Sequence, residues 1–268
     1  MEYKDFIYYN KNINTYIMLY LPPPMGVIKL KGNLKMLRRP TRFSRTPRRF
    51  LRESKYTVQP KTKAELQQII LDTIEEEGPE CDLNFIDTSR ITDMSYLFCG
   101  MKDFNGDISK WDVSNVKNME NMFNDATAFN QSLNNWDVSN VENMCCMFMG
   151  ADAFNGNINK WDVSNVINMS NMFTYAESFN QPLNDWDVSN VRTMAGMFSC
   201  AKSFNQPLND WDVSNVKYMQ GMFSNAELFN QNLEQWEVSS SADVMSMFNK
   251  TKLKRIKKIP KWFKILTM

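Results

Sequence analysis

No histidine occurs anywhere in the 268 residues. That absence removes the side chain that most often serves as general base or metal ligand near neutral pH, and with it a hydrolytic triad of the usual kind. Glycine is scarce, with nine residues, and neither GxxxxGK[ST] nor GxGxxG is present, so the phosphate-cradling loops of nucleotide enzymes are not expected. The glycine-rich nonapeptide of calcium-binding β-rolls is missing as well. The five cysteines, Cys81, Cys99, Cys145, Cys146 and Cys200, are odd in number and lack CxxC spacing. They read as reduced thiols and favour an intracellular site. Met1–Tyr20 carries Glu2, Lys4, Asp5 and Lys11 and has no apolar run near the ~20 residues of a membrane span. The basic, apolar and small-residue regions of a signal peptide do not follow in order either.

Hydrophobic residues make up 43% of the chain, enough for a sizeable core. The formal net charge of +1 conceals a division along the chain. Residues 1–60 carry 13 basic and 3 acidic side chains, residues 61–85 are net −5, residues 86–248 net −12 and residues 249–268 net +8. An acidic body thus lies between two basic ends.

Self-similarity organises that body. Trp111, Trp136, Trp161, Trp186, Trp211 and Trp236 recur every 25 residues without insertion. WDVSNV begins at 111, 136, 161, 186 and 211, WEVSSS stands at 236, and Ile86-Asp87-Thr88-Ser89-Arg90-Ile91 is a degenerate first copy. Seven units span residues 86–250. Within a unit, Leu133, Trp136 and Val138 alternate with polar residues, as a half-buried strand does. Val141, Met144, Met147 and Phe148 then recur at three- and four-residue spacing, which predicts a short helix, with Ser139 or Asn140 as N-cap. So small a unit cannot bury its own Trp, Val, Met and Phe, and each must cover its neighbour's open face. The expected fold is an α/β repeat solenoid of seven coils, each a short parallel strand plus a short helix, on the order of 35 Å long.

The strings WDVSNV, NMxxMF (Asn118-Met119, Met122-Phe123 and their successors) and FNQxL (Phe129-Asn130-Gln131, Leu133) resemble the repeats of BspA-like leucine-rich-repeat surface proteins, also common in mycoplasma-type surface proteins. The resemblance covers residues 86–248. Leu133-x-x-Trp136-x-Val138 is also similar to the LxxLxL strand of leucine-rich repeats. The resemblance implies a solenoid with a parallel sheet along one face, and a surface-adhesion or protein-binding role.

Open ends of such a stack need covering. Residues 61–85 are expected to form a helical N-terminal cap, with Leu66, Ile69, Ile70 and Ile74 on one face and Gly78-Pro79 as the stop. Residues 251–268 mix lysines with Leu253, Ile256, Ile259, Trp262, Phe263, Ile265 and Leu266. Lys252–Lys264 suits both a C-terminal cap and an anionic membrane or nucleic-acid surface. Residues 35–60, holding Arg38, Arg39, Arg42, Arg45, Arg48, Arg49 and Arg52, read as a solvated tether, as an arm for phosphates, or as a segment folding back on the acidic body. Residues 1–34 receive no fold.

No catalytic residue, metal or cofactor is expected. Asp112, Asp137, Asp162, Asp187 and Asp212 invite a calcium reading, but an acidic residue in register beside Ser and Asn fits acceptance from turn amides better. Recognition is expected where the units differ. The residue before each tryptophan reads Lys110, Asn135, Lys160, Asp185, Asp210 and Gln235, and alternation turns these outward on the sheet face beside the aspartates. The expected binding set is therefore Lys110, Asp112, Asn135, Asp137, Lys160, Asp162, Asp185, Asp187, Asp210 and Asp212, for a protein partner.

Overall fold

A computed structural model describes residues 58–267; the 1–34 segment and the Arg38–Arg52 stretch lie outside them. Each repeat unit is tied to the next through alternate residues. Met94, Tyr96, Phe98 and Gly100 donate their N–H groups to the carbonyls of Asn118, Glu120, Met122 and Asn124 at 2.7–2.9 Å. Met119, Asn121, Phe123 and Asp125 do the same to Asn143, Cys145, Met147 and Met149. The intervening N–H groups turn back into their own unit: Met122, Asn124 and Ala126 donate three residues back, to Met119, Asn121 and Phe123. Parallel pairing shrinks to isolated bridges that run Asp93–Asn118–Asn143–Asn168–Thr193–Tyr218–Asp243.

This pattern replaces the helix expected in each unit. Among the described residues no helix lies between Glu77 and Lys252. Two positions per unit take left-handed backbone: Tyr96, Asn121, Cys146, Asn171, Gly196, Gly221 and Ser246 at one, and Gly100, Asp125, Gly150, Tyr175, Cys200, Asn225 and Lys250 four residues later. A right-handed helix needs uninterrupted negative φ. Two left-handed residues four positions apart close tight turns instead, and swing the following amide toward the neighbouring unit. Asn and Gly, frequent at these positions, carry that conformation at least cost.

The strand expected at Leu133-x-x-Trp136-x-Val138 is also absent, since no bridge falls there. Two consecutive turns take its place, with Trp136 N–H donating to Leu133 and Val141 N–H to Val138. Their corners point Leu133, Trp136, Val138 and Val141 inward, all at most 3% exposed. The strand-like alternation in the sequence is thus produced by turns.

Aromatic columns fill the interior. Phe98, Phe123, Phe148, Phe173, Phe198, Phe223 and Phe248 stack nearly parallel at 5.3–5.9 Å between ring centres. A second column from Phe104 to Phe229 runs beside it, and the two touch within each unit at about 4 Å, as in Phe148–Phe154 at 3.9 Å. The tryptophans form a third row, with Trp111–Trp136, Trp161–Trp186 and Trp211–Trp236 stacked at 6.3–6.5 Å. Every indole N–H from Trp111 to Trp236 donates to a carbonyl 28 residues earlier, as Trp161 does to Leu133 at 2.9 Å. A buried polar N–H left without a partner would cost free energy, so this bond fixes indole depth as well as register.

Both ends are packed. Helix α1 (Lys63–Glu77) starts at Thr62, whose hydroxyl accepts from Glu65 N–H while the Glu65 carboxylate accepts from Lys61 N–H, close to a capping box. It ends at Gly78, φ 91°. Leu66 and Ile70 are fully buried against the first unit, with Ile69 and Ile74 packed at the side. At the other end, α2 (Lys252–Arg255) and α3 (Lys261–Leu266) follow the last unit. Trp262 of α3 donates its indole N–H to Leu233 at 2.8 Å and stacks on Trp236 at 6.3 Å, and Phe263 meets Phe248 edge-on at 4.9 Å. Trp262 continues the tryptophan row one step beyond the repeats, with 26 residues in place of 25.

Replacing Trp161 by Ala in the middle of the stack should cost about 3–5 kcal/mol in denaturant unfolding; an unchanged midpoint would refute its role. Trp262→Ala at the more open end should cost less, about 2–3 kcal/mol, and should first lower amide-exchange protection in the last two units.

Candidate functional site

The ten residues expected to recognise a partner fall on one exposed strip. Lys110, Asn135, Lys160, Asp185 and Asp210 are exposed, as are Asp137, Asp162, Asp187 and Asp212, while Asp112 is half-buried. The strip is built from corners of turns, not from a sheet: each pair flanks an inward tryptophan, as Asp185 and Asp187 flank Trp186. The expected sheet face is corrected in this respect, because inter-unit bridges lie on the Asn118 row instead.

The aspartates do local work. The carboxylate of Asp112 accepts from the Ser114 N–H at 3.0 Å and the Ser114 hydroxyl at 2.6 Å, and Asp137, Asp162, Asp187 and Asp212 accept from the amide two residues on in the same way. The Asn of each WDVSN then reaches back a unit: Asn140 donates to the Ser114 carbonyl and Asn165 to that of Ser139. Hydrogen bonds from the Ser214 hydroxyl and amide hold Asp212 below the usual carboxylate range. Asp87 and Asp107 are also lowered; burial pushes them up, but bonds from Ser89 and Ser109 outweigh it. Asp125, tucked against the next unit, is raised by burial.

Four of the expected residues converge. Asp185, Asp187, Asp210 and Asp212, with Asn184, Trp186 and Val188, line a shallow open depression of about 340 Å³. The Asn184 side-chain amide donates to the Asp210 carboxylate, and Asp210 N–H donates back to the Asn184 side-chain oxygen at 3.2 Å. Lys160, one unit away, and Lys110, three units away, do not line this depression, so lysines stand beside aspartates toward one end of the strip while the other end is wholly acidic. Among the described residues no group of three or more His, Cys, Asp or Glu is arranged to hold a metal ion.

Comparison with known families now has a geometry to meet. The family described as Mycoplasma protein of unknown function, DUF285, matches residues 71–176 and again 154–262, together well over half of the chain. The chain belongs to this family. No curated protein and no solved structure matches it. The two DUF285 matches together run from Leu71 in α1 across the repeats to Trp262.

The asparagines that recur every 25 residues read as ladder and turn residues, and they form a ladder: Asn130, Asn155, Asn180, Asn205 and Asn230 each donate N–H to the side chain of the asparagine 25 residues earlier. Two features of this DUF285 chain went unread in the sequence. One is that Trp262, expected only in the cap, extends the tryptophan row: the dipeptide Lys261-Trp262 repeats Lys110-Trp111 and Lys160-Trp161, and Lys261 N–H is bound by Glu234 as Lys110 N–H is by Asn84, so the KW spacing was a usable signal. The other is the contact between Cys145 and Cys146, hidden because neighbouring residues normally face apart.

Because the folded pKa of Asp212 is depressed, its turn contributes stability that is present above the unfolded carboxylate value near pH 4 and is lost as pH falls through the folded value. Asp212→Ala should therefore lower unfolding stability modestly at pH 7, with the difference from the parent chain shrinking toward zero on acidification. A difference constant from pH 7 to pH 2 would contradict this. Calcium should leave the thermal midpoint unmoved.

Proposed function

We propose that this DUF285 chain is a non-enzymatic, protein-binding repeat scaffold of the adhesion type, a solenoid akin to BspA-like leucine-rich repeats, which recognises its partner through the exposed strip beside the tryptophan row. The observation that supports this most is the contrast between inward and outward positions. The five units that begin with WDVSNV repeat the same buried Trp, Val, Met and Phe, whereas the residue before each tryptophan is exposed and changes from Lys to Asn to Asp. A scaffold that fixes spacing while its outward side chains differ presents a patterned surface for recognition. The acidic depression at Asp185, Asp187, Asp210 and Asp212 suits a basic segment of a partner.

A second reading assigns recognition to the basic ends. It is favoured by the exposure of Lys252, Lys254, Arg255, Lys257, Lys258, Lys261 and Lys264 at the C-terminal end; such a surface attracts nucleic acid or anionic membrane. Affinity capture from native cells with residues 60–268, followed by titration of the captured protein, tests the first reading. Asp185→Lys combined with Asp210→Lys should weaken that complex about tenfold or more. Unaltered affinity would remove the strip from the interface. Salt-sensitive binding to nucleic acid or anionic vesicles, abolished by charge reversal at Lys257, Lys258 and Lys264, would transfer recognition to the end.

A further inference from the structure

Cys145 and Cys146 are adjacent in sequence, yet their sulfurs lie 3.5 Å apart on a partly exposed surface. In extended backbone, neighbouring side chains point to opposite sides. Cys146 escapes this because it occupies the first left-handed position of its unit, φ 55°, which rotates its Cβ back toward Cys145. Both residues are anchored from two sides: Cys146 N–H donates to Ser170, the Cys145 carbonyl accepts from Asn121, and Cys145 N–H donates to the Asn143 side chain. Other units place Asn or Gly at this position, or Tyr and Ser; only this one sets two thiols side by side.

We infer that Cys145 and Cys146 form a dithiol site for a soft, trivalent electrophile of the monosubstituted arsenical class, which binds both sulfurs at one atom. A direct disulfide suits the geometry poorly. Adjacent Cα atoms across a trans peptide are about 3.8 Å apart, below the roughly 4.4–6.8 Å usual for disulfides, so that bond is strained and easily reduced. A larger bridging atom spans the two sulfurs without drawing them together. Zinc fits no better, because it requires about four ligands and no cluster of three or more ligating side chains stands among the described residues. The Glu120 carboxylate acts on both thiols and disfavours extra negative charge there, whereas the arsenical adduct is neutral. The contact between the two sulfurs lowers the Cys145 pKa, and the same contact, with burial, raises that of Cys146. With phenylarsine oxide, two S–H bonds break and two S–As bonds form. The arsenic-bound oxygen leaves as water with both thiol protons, and arsenic stays trivalent.

Phenylarsine oxide titrated into the reduced full chain and followed by intact mass should load one equivalent that resists excess 2-mercaptoethanol and leaves with 2,3-dimercaptopropanol. Cys145→Ser and Cys146→Asn take the residue types found at Ser170 and Asn171 in the next unit, so the fold is kept; each should weaken retention about 100-fold or more by loss of the chelate. Cys99→Ser and Cys200→Ser should change nothing. Met245→Cys combined with Ser246→Cys, at the equivalent left-handed position, should create a second site. Stripping of the parent chain by monothiol, retention by either single variant, or failure of the transplanted pair to bind would each overturn the inference.

Discussion

The bond from each indole N–H to a carbonyl in the preceding unit is the constraint on which the rest depends. It sits inside an apolar interior, so losing it leaves a buried indole N–H unpaired, and it forms only when a tryptophan stands the right number of residues beyond its acceptor. Stacked phenylalanines are fully buried along the whole interior, but apolar packing alone is non-directional. The indole bond converts that packing into a register, and the backbone rungs of the Asn118 row and the asparagine ladder then fall into line at the same period. No unit is complete by itself, because half of its amides in the Met119–Asp125 stretch find partners only in the next copy.

Much of this was legible in the sequence, and the failures have a common cause. The inward assignment of Trp, Val, Met and Phe followed from their spacing and from the inability of so short a unit to bury them. The secondary structure did not follow. Spacing of three and four residues marks one face of a helix, but successive tight turns with two left-handed residues four positions apart generate it too, and only the recurrence of Asn and Gly at Asn121, Asn171, Gly196 and Gly221 hinted at the difference. Likewise the alternation at Leu133, Trp136 and Val138 came from two turn corners. The outward direction of Lys110, Asn135, Lys160, Asp185 and Asp210 was readable all the same, since turns and strands both place them opposite the tryptophan. The convergence of Asp185, Asp187, Asp210 and Asp212 on one depression was not, because it depends on how neighbouring units are set.

The aspartate row shows how one residue type can serve scaffold and surface together. One carboxylate oxygen of Asp137, Asp162, Asp187 and Asp212 accepts from the turn amide while the residue as a whole stays exposed. A surface of this kind is rigid without being buried. Little ordering entropy remains to be lost when a partner meets it, and a patterned charge strip gains specificity from that fixity.

The way α3 closes the stack has a consequence for how the molecule changes length. Trp262 asks of the unit beneath it only a leucine or isoleucine carbonyl and an indole to lie on, and each copy from Trp111 onward supplies both. The terminal helix is therefore a portable lid. Whole modules can be gained or lost beneath it without redesigning the end, whereas a single inserted or missing residue would throw every later ring out of line; such a molecule grows in quanta of one turn, like a ruler extended by full divisions.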